Sequence, residues 1–409
     1  MMRALHMLLV LFVLLHVASP RKAVRTKTSR KARRQLSSLV QAAAVSEHGL
    51  DTQDFSFEEV LPLAADSVDV EMHACSLGSA DAQQLRGEWG ACLLPMIPGR
   101  EAVGVITAVG SAVKGLQVGH RVAVLLGSGV DAENDKDGAD RSTLDFVTTG
   151  AAAHQIRVPS RWVFPLPVTL PSAQTAGMLT CGGSIWCHLT QRRLARDCKI
   201  GVLGDGPARD LAVAMAAALG FDTYTLSLGS SSLEEHDKSL RGSQGHLAVD
   251  IEENLRLHGG SFDAVLCVTS REPLGMTPVL PFLKRGGDVL LANTQVDSLS
   301  LSPRLLQERR LQLVGGGTLS QREMLAMLAF CAQRRIRLKQ SSSEFSAENV
   351  AEALRGIAVA PESRAVLVRS SAHSRWIRAN RSAPVQTTSG SVAAGAAGAL
   401  SSLFGGFSK

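Results

Sequence analysis

Gly204 and Gly206 stand two residues apart behind the apolar run Ile200–Leu203, and that spacing carries recognisable chemistry. A glycine at the first position lets a strand turn tightly. One at the second lets backbone N–H groups approach a pyrophosphate at the start of a helix. An Ala-rich amphipathic stretch follows from Pro207, and a second strand is expected over Thr223–Leu226, which completes the opening of a βαβ unit. Two residues depart from the motif. Arg209 takes the place of a third glycine, whose use is close helix–strand packing, and Asp205 sets a negative charge beside the anion position. An NAD site wants an acid at the end of the second strand for the ribose hydroxyls. Here that end reads Leu226-Ser227-Leu228-Gly229-Ser230-Ser231-Ser232, hydroxyls without an acid. Cys75, Cys92, Cys181, Cys187, Cys198, Cys267 and Cys331 are scattered with no C-x-x-C pair. They read as reduced, buried thiols rather than a disulfide framework. His188, His246 and His258 read as solvated or capping residues, and Cys181 as a core thiol rather than a nucleophile.

The elements that must position these residues follow from periodicity. SVDVEMHACSLG alternates as a half-buried strand does, and EAVGVITAVGSAV and VGHRVAVLL are β-branched runs between glycine turns. GSGVDAENDKDGADRST is a polar acidic loop, and HQIRVPSRWVFPLPVTLP gives a strand and a Pro-punctuated connection. A helix is expected over Ser172–Leu189. After the βαβ opening come FDAVLCVTS as a strand, PLGMTPVLPFLKRGG as a helix ending in glycine, and DVLLANT and LQLVGGGT as strands. Such alternation implies a parallel, doubly wound sheet. SQREMLAMLAFCAQRRI and SAENVAEALRGI are amphipathic helices, and SRAVLVRS is a closing strand.

The chain has 409 residues, enough for two domains, and a formal charge of +6 that sits in its ends. Residues 1–50 carry +8 and residues 371–409 carry +4, so the body between them is acidic at −6. A basic nucleic-acid-binding face is therefore excluded as the source of the high pI. Met1-Met2-Arg3 and the apolar run Ala4–Ala18 suit a signal-peptide core, too short for a comfortable membrane span. The acid-free RKAVRTKTSRKARRQ has transit-peptide composition. The two in series resemble the bipartite leaders of proteins imported into plastids with extra membranes. Secretion or endomembrane residence, or a retained anchor, are the alternatives, and contact with a membrane is expected only through this leader. From about Ser370 the Gly/Ala/Ser-rich composition cannot bury enough apolar surface to order, so a flexible tail is expected.

Together these stretches resemble the medium-chain dehydrogenase/reductase superfamily, and within it the cinnamyl-alcohol-dehydrogenase-like zinc enzymes. IPGREAVGVITAVGSAVKGLQVGHRV, MLTCGGSIWCHL and GVLGDGPARDLAVAMAAALG carry the likeness, which FLKRGGDVLLANT and AVLVRS continue over roughly residues 55–370. The implied fold is α/β: a GroES-like β domain (46–181) after a leader (1–45), a Rossmann domain (182–319), a return to the first domain (320–370) and a tail (371–409). The active site would lie in the cleft between the domains. The resemblance places Gly204, Gly206, Pro207, Ser227, Val268 and Arg364 at the cofactor.

The metal positions are substituted. Family enzymes hold a catalytic zinc through a Cys, a His and a later Cys, where this chain has Gly78, Arg100 and Cys181, with Glu101 beside Arg100. Gly78 and Arg100 keep the spacing of the ligand pair, so the register holds while the donors are gone. Cys75, three residues early in an alternating strand, would face the other way. Ala80 replaces the relay hydroxyl, and DAENDKDGADRST contains none of the four cysteines of a structural zinc lobe. Neither zinc is expected. Zinc-free members reduce activated double bonds with NADPH. Arg100, the one candidate catalytic group, would stabilise a developing enolate oxygen, unless it is paired with Glu101 or another carboxylate. Related NADP enzymes carry S-x-S-x-x-K after the second strand. Ser227 is kept, Leu228 replaces a basic neighbour and the Lys is missing, which favours NADP over NAD. The expectation is a zinc-independent NADP(H)-linked oxidoreductase acting on an activated carbonyl or alkene, with a small-molecule substrate, no nucleic acid, and a homodimer left open. The alternative is a pseudoenzyme that keeps the fold as a scaffold.

Overall fold

The computed structural model describes residues 37–375 apart from 48, 61, 89–93, 127–149, 193, 196, 230–241, 270–273, 293–297, 317–318 and 373. The expected leader up to residue 36, the acidic loop, Cys92 and the expected tail from 376 lie outside the described residues.

The first half is β-rich. Strands β1 (Ser37–Ala44), β2 (Gln53–Val60), β3 (Ser67–Leu77), β4 (Glu101–Val109), β5 (Arg121–Leu125), β6 (Gln155–Pro159) and β7 (Val163–Pro165) are joined by one short helix, α1 (Ser79–Leu85). Part of the stretch read as leader belongs to this body. Val40 and Ala42–Val45 are buried, and Ala43 N–H donates to the Ala152 carbonyl at 2.9 Å, so the fold is under way well before residue 46. The small, apolar QAAAV run supplies close packing that composition alone does not distinguish from a leader.

Helices α2 (Ser172–Ala176) and α3 (Leu179–Gln191) lead out of this domain. They replace one expected helix. The break falls at Gly177, where a Cβ would come within 2.3 Å of the Gln340 amide oxygen. A six-stranded all-parallel sheet follows: β8 (Lys199–Leu203), β9 (Asp222–Ser227), β10 (His246–Ala248), β11 (Phe262–Cys267), β13 (Leu283–Leu291) and β15 (Gln312–Gly315). Two-residue strands β12 (Leu274–Gly275) and β14 (Leu299–Ser300) pair beside it. Helices α4 (Gly206–Leu219), α5 (Glu252–His258) and α6 (Pro303–Arg309) are its connections. Over the described part of PLGMTPVLPFLKRGG, the expected helix is replaced by the short strand β12, a turn at Leu280–Phe282 and the start of β13. Pro278 and Pro281 remove donors that a helix needs, and Leu283 already begins β13.

The strand order β10-β9-β8-β11-β13-β15 reverses direction between β8 and β11. In doubly wound sheets such a reversal opens a crevice at the carboxyl ends of the strands. The chain then forms α7 (Gln321–Arg334), β16 (Ser341–Glu344), α8 (Ala347–Val359) and β17 (Ala365–Val368). β17 pairs antiparallel with β3, from Ala365 opposite Leu77 to Val368 opposite Ala74, and so extends the first sheet. Ala372 is buried at 1%, so order continues past residue 370. One core links Ala74, Val103 and Phe164 to α3, α4 and α7, with Trp186 against Phe330 at 5.0 Å between ring centroids. No helix among the described residues is long and apolar enough to cross a membrane.

Candidate functional site

Two clusters contain the sequence-derived residues. The first lies where β3 ends, β4 begins and α3 starts. Gly78 follows β3 and caps α1, and the Asp81 carboxylate accepts the N–H groups of Gly78 (2.9 Å) and Gly99 (3.1 Å). Glu101 opens β4, buried opposite Ser76. Its carboxylate accepts the Leu179 N–H at 3.0 Å and one Arg364 guanidinium N–H at 3.1 Å. The same Arg364 nitrogen donates to the Gly177 carbonyl at 3.2 Å and lies 3.8 Å from where a Cβ on Gly78 would be. Cys181 completes the group: its thiol donates to the Gly177 carbonyl at 3.5 Å. Burial pushes this thiol up to about 11, although Arg364 opposes the shift. Gly78, Glu101 and Cys181 thus surround a buried guanidinium, with Arg100 adjoining them through Asp81.

Among the described residues Arg100 meets Gln84 and Asp81 rather than its chain neighbour Glu101. It donates to the Gln84 amide oxygen at 2.6 Å, and its Nε lies 3.9 Å from Asp81 Oδ1. Burial raises the Asp81 pKa, while Arg100 and the two backbone donors hold it down. Cys75 packs in the core beyond β3, where burial pushes it up to about 12; alternation thus places it on the face away from Ala74. Among the described residues no three or more His, Cys, Asp or Glu side chains gather as a metal site. Arg100→Gln separates its two readings. An electrostatic role in catalysis predicts a kcat loss of about tenfold or more with NADPH affinity unchanged. A purely structural role predicts a lower melting temperature with kcat kept.

The second cluster lies at the crevice of the parallel sheet. Gly204 (φ +147°) and Gly206 (φ +65°) hold backbone that other residues rarely adopt. A Cβ on Gly204 would meet Val268 Cγ2 at 2.9 Å, so the turn after β8 and the residue after β11 close on each other at the reversal point. Asp205 is the N-cap of α4 without a side-chain cap bond, and Pro207 lies in the first turn. Arg209 is buried and forked onto Asp210 at 3.0 and 3.1 Å. A Cβ on Gly206 would lie 3.3 Å from the Glu362 carbonyl, so the chain two residues before Arg364 passes over this turn. Arg364 itself reaches the first cluster, where at least one of its nitrogens is committed. Ser227 ends β9, donates to the Gly229 carbonyl at 3.0 Å and lies 3.1 Å from His246 Nε2.

Asp81 and Glu362 are not among the residues that the sequence singles out, and His246 reads there as solvated or capping. Asp81 follows Gly78 by three residues, the spacing of an N-terminal capping acid. The histidines depart from the solvated reading. His188 is buried, 3.0 Å from the Leu291 carbonyl and lowered in pKa by burial, and His246 bridges two hydroxyls. His258, half-exposed, lies 3.1 Å from Lys199 Nζ.

Residues 64–168 match the family of the alcohol dehydrogenase GroES-like domain. The chain is 28% identical over 288 residues to an NADP-dependent alcohol dehydrogenase C of Mycolicibacterium smegmatis, covering 65% of this chain and 80% of that one. Among solved structures, it resembles a cinnamyl alcohol dehydrogenase of Sorghum bicolor with a TM-score of 0.68 at 21% identity, over 81% of this chain and 98% of the other. The Helicobacter pylori cinnamyl alcohol dehydrogenase complexed with NADP(H) gives 0.69 at 18% identity, over 81% and 99%.

Proposed function

Because the chain belongs to the medium-chain dehydrogenase/reductase superfamily, we propose that it is an NADP(H)-linked oxidoreductase that works without zinc on an activated carbonyl or alkene. The observation that supports it is the glycine turn at the sheet's reversal point, with Gly204 closed against Val268 and a hydroxyl-lined, acid-free end to β9. The residues fit a dinucleotide. Gly204 and Gly206 leave the backbone open to a pyrophosphate, the start of α4 favours an anion, and Ser227 stands where the ribose is read. A bound nicotinamide would supply the hydride. The protein's part is to hold the ring and substrate in the cleft and to exclude water there.

The donor set does not fit a catalytic zinc. Such a site needs three protein donors and an open position. Gly78 offers no side chain, Arg100 is a cation, and the Cys181 thiol keeps its proton with Arg364 beside it. No step here depends on a metal.

A specific observation favours the scaffold alternative. The Glu362 carbonyl lies over Gly206, and the acids Asp205 and Glu362 stand near the turn where an anion would bind. Titration of the full-length chain with NADPH, followed by nicotinamide fluorescence, decides between the two. Micromolar binding is expected, together with far less than one zinc per chain by elemental analysis. No binding at a few hundred micromolar would leave the scaffold reading; one equivalent of zinc would end the metal-free one.

A further inference from the structure

β9 presents Thr225 and Ser227, two residues apart and so on one face of the strand. β10 runs parallel beside it with His246 opposite Thr225 and Ala248 opposite Ser227. The His246 imidazole spans both hydroxyls, with Nδ1 2.9 Å from Thr225 Oγ1 and Nε2 3.1 Å from Ser227 Oγ. The surrounding bonds fix the direction of this bridge. The Gly245 carbonyl already accepts the Thr225 N–H at 3.0 Å and the Ser243 hydroxyl at 2.8 Å. The Thr225 hydroxyl is within 3.3 Å of that twice-occupied oxygen, and Nδ1, at 2.9 Å, is the shorter and less crowded acceptor for its proton. The ring then carries its proton on Nε2 and donates to Ser227 Oγ, whose own proton goes to the Gly229 carbonyl at 3.0 Å.

The result is a one-way chain of hydrogen bonds, anchored on fully buried Thr225 and ending at the serine that closes β9. A donor that itself accepts a hydrogen bond is polarised and donates more strongly. Rotating about its C–O bond, the Ser227 hydroxyl can turn from the Gly229 carbonyl to an incoming oxygen while still accepting from Nε2. No carboxylate lies in Leu226–Gly229 to repel an anion. We propose that His246 is the positioning residue that selects a 2′-phosphorylated adenosine, acting through Ser227 in place of the missing lysine. A bond to a phosphate oxygen is charge-assisted and about twice as strong as one to a ribose hydroxyl, and the difference is the selectivity.

This assignment rests on the reading of the glycine turn as a dinucleotide site, so the test uses probes that lack nicotinamide. Calorimetry on the full-length chain compares adenosine 2′,5′-bisphosphate with adenosine 5′-monophosphate. The bisphosphate should bind about tenfold tighter. In His246→Ala that preference should fall to within about twofold, with the bisphosphate losing several times more affinity than the monophosphate, and His246→Gln, which keeps an N–H near Nε2, should recover part of it. A merely structural role would weaken both nucleotides in parallel and lower the melting temperature. Parallel loss, an unchanged ratio in His246→Ala, or binding of neither nucleotide overturns the assignment. Selective binding of the bisphosphate that depends on His246, in a chain that does not bind NADPH, would support the assignment and end the oxidoreductase reading.

Discussion

Glu101→Ala is expected to lower the unfolding free energy by about 3–5 kcal/mol, the cost of leaving a buried charge without its partner. Arg364 is well buried, and its burial alone would penalise the charged form. The ionised carboxylates of Glu101 and Asp81 nevertheless hold its pKa above the ordinary arginine range. Glu101 also accepts the Leu179 N–H, one of the donors at the start of α3 that no helical carbonyl can reach. Alanine therefore removes a counter-ion and a helix acceptor together. Glu101→Gln, which keeps an acceptor but not the charge, should cost about half as much. The decisive comparison is Glu101→Met with Arg364→Met: removing both charges should recover most of the loss, because a buried pair and its apolar replacement are often close in stability. Urea midpoints at constant m-value measure all three. A loss below about 1 kcal/mol in Glu101→Ala would mean that the pair is effectively solvated.

The same pair bears on the chemistry of the cleft. Among the described residues Arg364 faces Glu101 and Arg100 faces Asp81, and the Cys181 thiol beside Arg364 is protonated. A guanidinium paired with a carboxylate offers an oxyanion far less field than a divalent ion would give. On the proposed metal-free reading, a substrate would have to be activated already, by conjugation or by an electron-withdrawing neighbour. That is the physical ground for preferring an activated carbonyl or alkene to a simple alcohol.

What the sequence made legible was local. The β8–Gly204–α4–β9 unit could be read because each step has its own signal: an apolar run, a φ-permissive turn, an Ala-rich helix and another apolar run. Contacts between distant segments left no such trace. His246 lies 19 residues from Ser227 along the chain and meets it only because β10 pairs with β9 in parallel. Arg364 reaches Glu101 across 263 residues through the return of β17 to β3. Its expected place at the cofactor comes from the resemblance, and its bond to the buried Glu101 carboxylate leaves no mark in the sequence. The misread helix before β13 is a different case. The apolar spacing of Met276, Val279, Leu280 and Leu283 suits a helix, and two prolines overrule it.

Gly204→Ala should reduce NADPH affinity by at least about tenfold and destabilise the fold by about 2–3 kcal/mol. Its φ of +147° lies where L residues are rarely found, and the added methyl would sit 2.9 Å from Val268 Cγ2 and 3.2 Å from the Thr269 nitrogen. Neither neighbour can yield cheaply. Valine is stiff at χ1, and the second contact is backbone. The turn after β8 must therefore move away from β11, which displaces the start of α4 from the position where its N–H groups would meet a pyrophosphate. Gly286→Ala provides the control: its φ is +82°, with no atom within 4 Å of the new methyl. It should cost about 1 kcal/mol through backbone conformation alone and leave affinity untouched. Adding Val268→Ala to Gly204→Ala should restore part of the affinity, because it removes the side-chain contact while the backbone contact stays. NADPH binding by Gly204→Ala as tight as that of the unmodified chain would mean that the dinucleotide, if held at all, does not use this turn.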